Sequence, residues 1–250
     1  MSDQLSTGDR AQVVENVLLD VPIQGHTRRS LIKKAAIGAA GAGALSQLGI
    51  GSALAADSPT TVGTVAVTAE ALAVTYLNRV LEVNEGEHAF PSTVVDILRA
   101  AGSAEMDHYS FLLSAGFKPL TTKFWLPTDF FGHKLANVAP TIEVAETLFV
   151  NAYLIGITVF AQANNPTVAR YAGEVCGVES EHRTLARFLQ GKLPNNVGFE
   201  GYAYTSVTQV VGALESAGVG FGKRGSKPGE FYRFKGMGDE FVALDNPKPM

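Results

Sequence analysis

The chain has 250 residues, 46% of them hydrophobic and 18% charged, with a formal charge of −4 and a sequence pI of about 5.7. Length and apolar content suit one globular domain with a sizeable core. The acidic balance and the shortness of the basic runs argue against a nucleic-acid surface, and the single cysteine, Cys176, excludes an intrachain disulfide and reads as a small core residue.

In chain order, residues 27–34 read TRRSLIKK. A mild Ala/Gly-rich apolar stretch follows, and then SALAADS, with Ala53 and Ala55 in the A-x-A positions of a cleavage site. This segment is similar to a twin-arginine export signal cut near Ala55. The similarity implies passage through the twin-arginine machinery to the periplasm or beyond, and a mature form without a transmembrane span. Residues 1–55 hold five Lys/Arg and four acids, so their removal leaves 15 basic and 20 acidic residues and a charge of −5. The expected organisation is a signal at 1–55, a helical domain at 56–190 and a C-terminal extension at 191–250 that packs on it.

The periodicity predicts an all-α fold of four amphipathic helices. The first spans 62–84. The second spans 92–115, with Gly116 and Pro119 as stop signals. The third starts near Pro140 and ends at Asn164-Asn165. In the fourth, Asn165 caps, Pro166 takes the first position and Gly191 ends the helix. Two short links and one aromatic crossover of about 23 residues between helices two and three match a ferritin-like bundle topology. The tail adds one short helix, SVTQVVGALESAG, and a Gly/Lys-rich coil, GFGKRGSKPGEF.

Each helix places a carboxylate where its inward stripe calls for a leucine. The stripes are Val67, Glu70, Val74, Leu77 and Leu81; Leu98 or Ala101, Glu105, His108 and Leu112; Ile142, Glu146, Phe149, Tyr153, Gly156 and Phe160; and Val175, Val178, His182, Leu185 and Leu189, with Glu179 beside His182. Three residues turn a helix by about 300° and advance it about 4.5 Å, so Glu105 with His108 and Glu179 with His182 each reach one point. Asp107 and Glu181 fall about 100° off, at the rim. Glu143 is about 60° from Glu146 and is a candidate to support the site from behind. Four carboxylates in a dry interior would cost several kcal/mol each if unpaired. Neither Arg79, Arg99, Arg183 nor Arg187 lies on these stripes, so the missing positive charge points to two metal ions bridged by carboxylates. Oxygen-rich ligands with one imidazole per ion suit iron or manganese better than structural zinc.

The stretches TAEALAVTYL, AEMDHYSFL, AETLFVNAYL and VESEHRTLAR resemble the ferritin-like domain proteins related to bacterial desiccation-associated proteins, over roughly residues 62–190. The resemblance implies that Glu70, Glu105, His108, Glu146, Glu179 and His182 ligate two iron ions (manganese being possible), with Glu105 and Glu179 bridging and Glu70 and Glu146 terminal. Tyr153, two turns after Glu146, is placed either to hydrogen-bond near the site, to act as a redox-active residue, or simply to fill the core. The expected partners are metal ions and O2 or peroxide, with homo-oligomerisation open. The expected function is O2- or peroxide-linked metal oxidation (ferroxidase or peroxide-scavenging) or iron handling in stress protection; the alternatives are a stress-associated structural or binding protein with a non-catalytic metal site, and manganese catalase-like activity.

Overall fold

The computed structural model describes residues 57–87, 90–131, 135–238 and 242–245. The export-signal reading at 1–55 lies outside the described residues, as do His88 and His133. The chain is mostly helical, with four long helices: α1 (Pro59–Glu87), α2 (Ser92–Ser114), α3 (Leu135–Gln162) and α4 (Pro166–Leu189). A shorter helix α5 (Val207–Ala217) follows them. Helix α1 packs on α2 and α3, and α3 packs along α4.

The helix ends follow local chemistry. Gly116, at φ 92°, turns the chain after α2, and Gly116 N–H and Phe117 N–H cap the carbonyls of Leu113 and Leu112. The Asn165 side chain accepts from Val168 N–H at the start of α4, with Pro166 just inside. The Ser206 hydroxyl likewise accepts from Gln209 N–H at the start of α5. Close approach explains Gly63: a Cβ there would lie 2.2 Å from the Phe117 ring, so only glycine lets the crossover aromatic seat on α1.

Three expectations need correction. The all-α reading misses a three-stranded antiparallel sheet, β2-β1-β3 in order, formed by β1 (Lys123–Pro127) in the crossover and β2 (Gly220–Phe221) and β3 (Gly229–Arg233) in the tail. The register pairs Phe124 with Phe221 on one side and with Tyr232 on the other. Phe124 is fully buried and meets Phe221 edge to face, so burial of crossover aromatics against the tail replaces the expected coil. Helix α3 starts at Leu135, not near Pro140, which lies inside it. The proline removes one backbone bond, but Val138 and Ala139 are buried, and their packing holds the preceding turn. On α4 the buried stripe is Ala172, Cys176, Glu179, His182, Ala186 and Leu189, while Leu185 is exposed and Val175 and Val178 are only half-buried. Small residues on that stripe let α3 come close, and the larger apolar residues slide to the rim.

Helices α1 and α3 are long and apolar enough to cross a membrane, but most of that apolar length is buried within the protein itself. The tail is tied to the helices by buried polar anchors. Asn151, in the middle of α3, donates to Tyr204 O (2.9 Å) and accepts from Ala203 N–H (2.7 Å) and Tyr204 N–H (3.0 Å). Arg183 on α4, read from sequence as lying off the stripe, is buried and pairs with Glu200 of the tail.

Candidate metal centre

The four long helices bring their mid-helix acids to one point. Glu70 on α1, Glu105 on α2 and Glu179 on α4 are fully buried, and Glu146 on α3 is 4% exposed. His182 is buried with them, and the His108 side chain is 11% exposed. The side chains form two groups: Glu70, Glu105, His108 and Glu179; and Glu105, Glu146, Glu179 and His182. Within each group one ligand atom per residue lies within 4.8 Å of all the others.

Glu105 and Glu179 belong to both groups, and their oxygens divide between them. His108 Nδ1 lies 3.5 Å from Glu105 Oε2 and 3.4 Å from Glu179 Oε1, with Glu70 Oε2 at 3.7 Å. His182 Nδ1 lies 2.9 Å from Glu105 Oε1 and 3.4 Å from Glu179 Oε2, with Glu146 Oε1 at 4.0 Å. Ligands at about 2.0–2.2 Å from a common ion would sit about 3 Å apart when adjacent and about 4.3 Å apart when opposite. The observed separations fall across that range.

These contacts are close but not aligned as hydrogen bonds. Eight buried atoms are left without a hydrogen-bond partner: Glu70 Oε2, both oxygens of Glu105 and of Glu179, Glu146 Oε2, and Nδ1 of His108 and His182. Among the described residues, no lysine or arginine pairs with a cluster carboxylate; Arg183, Arg187 and Lys192 are engaged by Glu200 and Glu143 instead. Orphaned buried acceptors converging on two points are what a pair of cations fits. The donor set fits metal ions of intermediate hardness.

Without added cations, protons must balance the charge. Burial, and then the charges of Glu105 and Glu179, push Glu70 well above the usual carboxylate range. Burial and the same two carboxylates do likewise to Glu146. Burial also works against ionising Glu105, but its contacts with Glu70, His108 and His182 outweigh this and hold it well below the usual range. Burial opposes charge on the histidines too; the surrounding glutamates win, raising His108 well above its ordinary value and His182 to about 10.

The remaining candidates divide. The Tyr153 hydroxyl donates to Glu70 Oε1, which fixes the orientation of that carboxylate. Burial, then the negative charge of Glu70, raises the Tyr153 hydroxyl well above its ordinary value. Glu143 makes its bonds elsewhere: its oxygens accept from Arg187 (2.8 Å), Gln190 (2.9 Å) and Lys192, tying α3 to the end of α4. Asp107 and Glu181 are exposed. Cys176 is buried and its thiol is pushed up to about 11, first by burial, consistent with an inert core residue. Sequence reasoning missed the Arg183–Glu200 pair, because Glu200 lies in a loop without periodicity. It also missed a small apolar pocket of about 50 Å³ whose lining includes Phe130, Thr141, Ala145, Glu146 and Phe149.

Fold and site together define a mostly helical protein with a buried carboxylate–imidazole cluster able to hold metal ions. Comparison with family models, curated proteins and solved structures finds no match to the chain. The geometry of the site therefore carries the functional reading.

Proposed function

We propose that the chain is a ferritin-like protein with a carboxylate-bridged dinuclear centre, holding iron in preference to manganese and working with O2 or peroxide outside the cytoplasm after twin-arginine export. The observation that carries this reading is the sharing of Glu105 and Glu179, each turning one oxygen toward His108 and the other toward His182. In this reading Glu70 and Glu146 close the two ends as terminal ligands. Bound there, a redox-active metal pair would supply the electrons that reduce O2 or peroxide.

The chain's own residues provide the setting. Tyr153 holds Glu70 by a hydrogen bond and is within reach to pass a proton at that oxygen. Glu146 has one oxygen free of protein hydrogen bonds, so it can change its mode of binding without breaking other contacts. The pocket beside Glu146 is walled by Leu72, Leu77, Leu126, Ile142 and Phe149 and has room for little more than a diatomic molecule. A pocket of that size suits dioxygen and excludes sugars or nucleotides.

The test is anaerobic titration of the metal-free protein with Fe(II), followed by admission of O2 or H2O2 and measurement of the near-ultraviolet absorbance of ferric iron. Two ions per chain and rapid oxidation are expected. Glu179→Ala should lose both ions, whereas Glu146→Ala should retain one. A wild-type protein that takes up no iron or manganese and is indifferent to chelators would overturn the reading.

A further inference from the structure

The sheet lobe carries a charge opposite to that of the protein. Residues 118–127 and 220–235 contain seven Lys/Arg and one acid, Glu230, in a chain whose formal charge is −4. Part of this charge gathers on a groove of about 320 Å³ between the outer face of α1 and the β1–β3 pair. Arg79 enters from α1, Lys123 from β1, and Arg233 and Lys235 from β3 and its continuation.

The placement is electrostatically unfavourable as it stands. Lys123 and Arg233 are direct cross-strand partners, so two like charges face each other on one side of the sheet. Glu82 is the acid in the groove, and it lies 3.2 Å from Arg79. Glu230 lies on the Tyr232 side of β3, opposite Arg233, and accepts from the hydroxyl of Tyr232, a groove residue, at 3.4 Å, so it is the second acid near the groove. Among the described residues, no carboxylate forms an ion pair with Lys123, Arg233 or Lys235. The lysine and arginine heads are nevertheless held in place: Lys123 Nζ sits 3.8 Å from the centre of the Phe231 ring, and the Arg79 guanidinium 5.7 Å from that of Tyr232. Contacts with ring faces orient a cation without neutralising it.

We propose that this groove binds a small ligand bearing two phosphate-type groups. Three uncompensated cations match the charge of about −3 to −4 on such a ligand at neutral pH, and the Arg233 fork suits two phosphate oxygens at once. The half-exposed Phe231 offers an apolar wall for the body between the phosphates. The site lies on the outer face of α1, opposite Glu70, and does not depend on the metal reading.

The test uses the full chain as purified, at low salt, titrated calorimetrically with fructose 1,6-bisphosphate and with neutral fructose. A parallel arm measures co-sedimentation with vesicles of phosphatidylglycerol in phosphatidylcholine, because a lipid headgroup presents related chemistry. Saturable binding of the bisphosphate but not of fructose is expected, weakening at least tenfold in Lys123→Gln/Arg233→Gln and in Arg233→Gln/Lys235→Gln, the latter pair at exposed positions. Binding confined to the vesicle arm and lost in the same variants overturns the small bisphosphate and assigns the groove to a lipid phosphate headgroup instead. The ligand-free melting temperature of Lys123→Gln should be unchanged or higher, because a like-charge pair is relieved. No binding by the wild type in either arm, or binding undiminished in the variants, overturns the proposal.

Discussion

Raising the pH should destabilise the metal-free protein. His182 has an ordinary value of 6.5 and a folded value of about 10. Between those values the native state holds a proton that the unfolded chain has released. Its contribution to stability is complete below 6.5 and is lost as pH rises through 10. The slope approaches about 1.4 kcal/mol per pH unit, so from pH 7 to pH 9 His182 alone removes about 2 kcal/mol, or about 4–8 °C of melting temperature for a domain of this size. His108, Glu70 and Glu146 are also raised and act in the same direction. Glu105 is lowered, so its contribution is already complete above its ordinary 4.5 and is flat over this window. Bound metal ions would replace the protons, so protein loaded with Mn(II) under argon should show no such fall, and its affinity for metal should rise with pH. Calorimetric melts at pH 7 and pH 9, with chelator and with Mn(II), measure both. A metal-free melting temperature that is flat or rising from pH 7 to pH 9 would refute the reasoning.

Tyr153→Phe removes the hydroxyl that orients Glu70; metal affinity should fall about 10–100-fold while stoichiometry is kept, read by competition with a chelator. Arg183→Ala leaves the Glu200 carboxylate without its guanidinium partner and with only the Ser180 hydroxyl as a donor, and should destabilise by about 2–3 kcal/mol in denaturant melts, with metal content unchanged. Phe124→Ala empties the centre of the small sheet and should cost about 3–5 kcal/mol by the same assay.

Much of the helical framework and the cluster was legible because both rest on short-range periodicity. Glu105 with His108 and Glu179 with His182 sit three apart, and the apolar positions around Glu70 and Glu146 repeat at helical spacing, so one face collects them whatever lies further along the chain. The sheet was not legible for the opposite reason. KFWLP and GEFYR are five residues each and pair across more than a hundred positions, and a two-residue strand such as β2 has no period at all. The α4 stripe was misread because apolar size was taken as a guide to burial. Where α3 approaches closely, alanine and cysteine are the residues that fit, and Leu185 is displaced to the surface. Pro140 misled in a similar way: a proline suits a first turn, but the burial of Val138 and Ala139 extends α3 past it.

The cluster also explains a tension within the fold. Apolar residues of similar volume at Glu70, Glu105, Glu146 and Glu179 would pack the same interior without electrostatic penalty, and replacing buried charges in that way often stabilises a protein. The chain instead places four acids at the point where all four long helices meet, two of them with a histidine one turn on. It commits the Tyr153 hydroxyl to one of these acids and engages the α4 arginines Arg183 and Arg187 with Glu200 and Glu143. A purely structural buried network would draw those cations inward. Keeping them out leaves an unbalanced negative centre, which protons balance only by shifting most of the ligands far from their ordinary titration ranges. Metal ions balance it with every ligand ionised as its chemistry prefers, so the same residues that weaken the empty fold should make the metal-bound state the stable one.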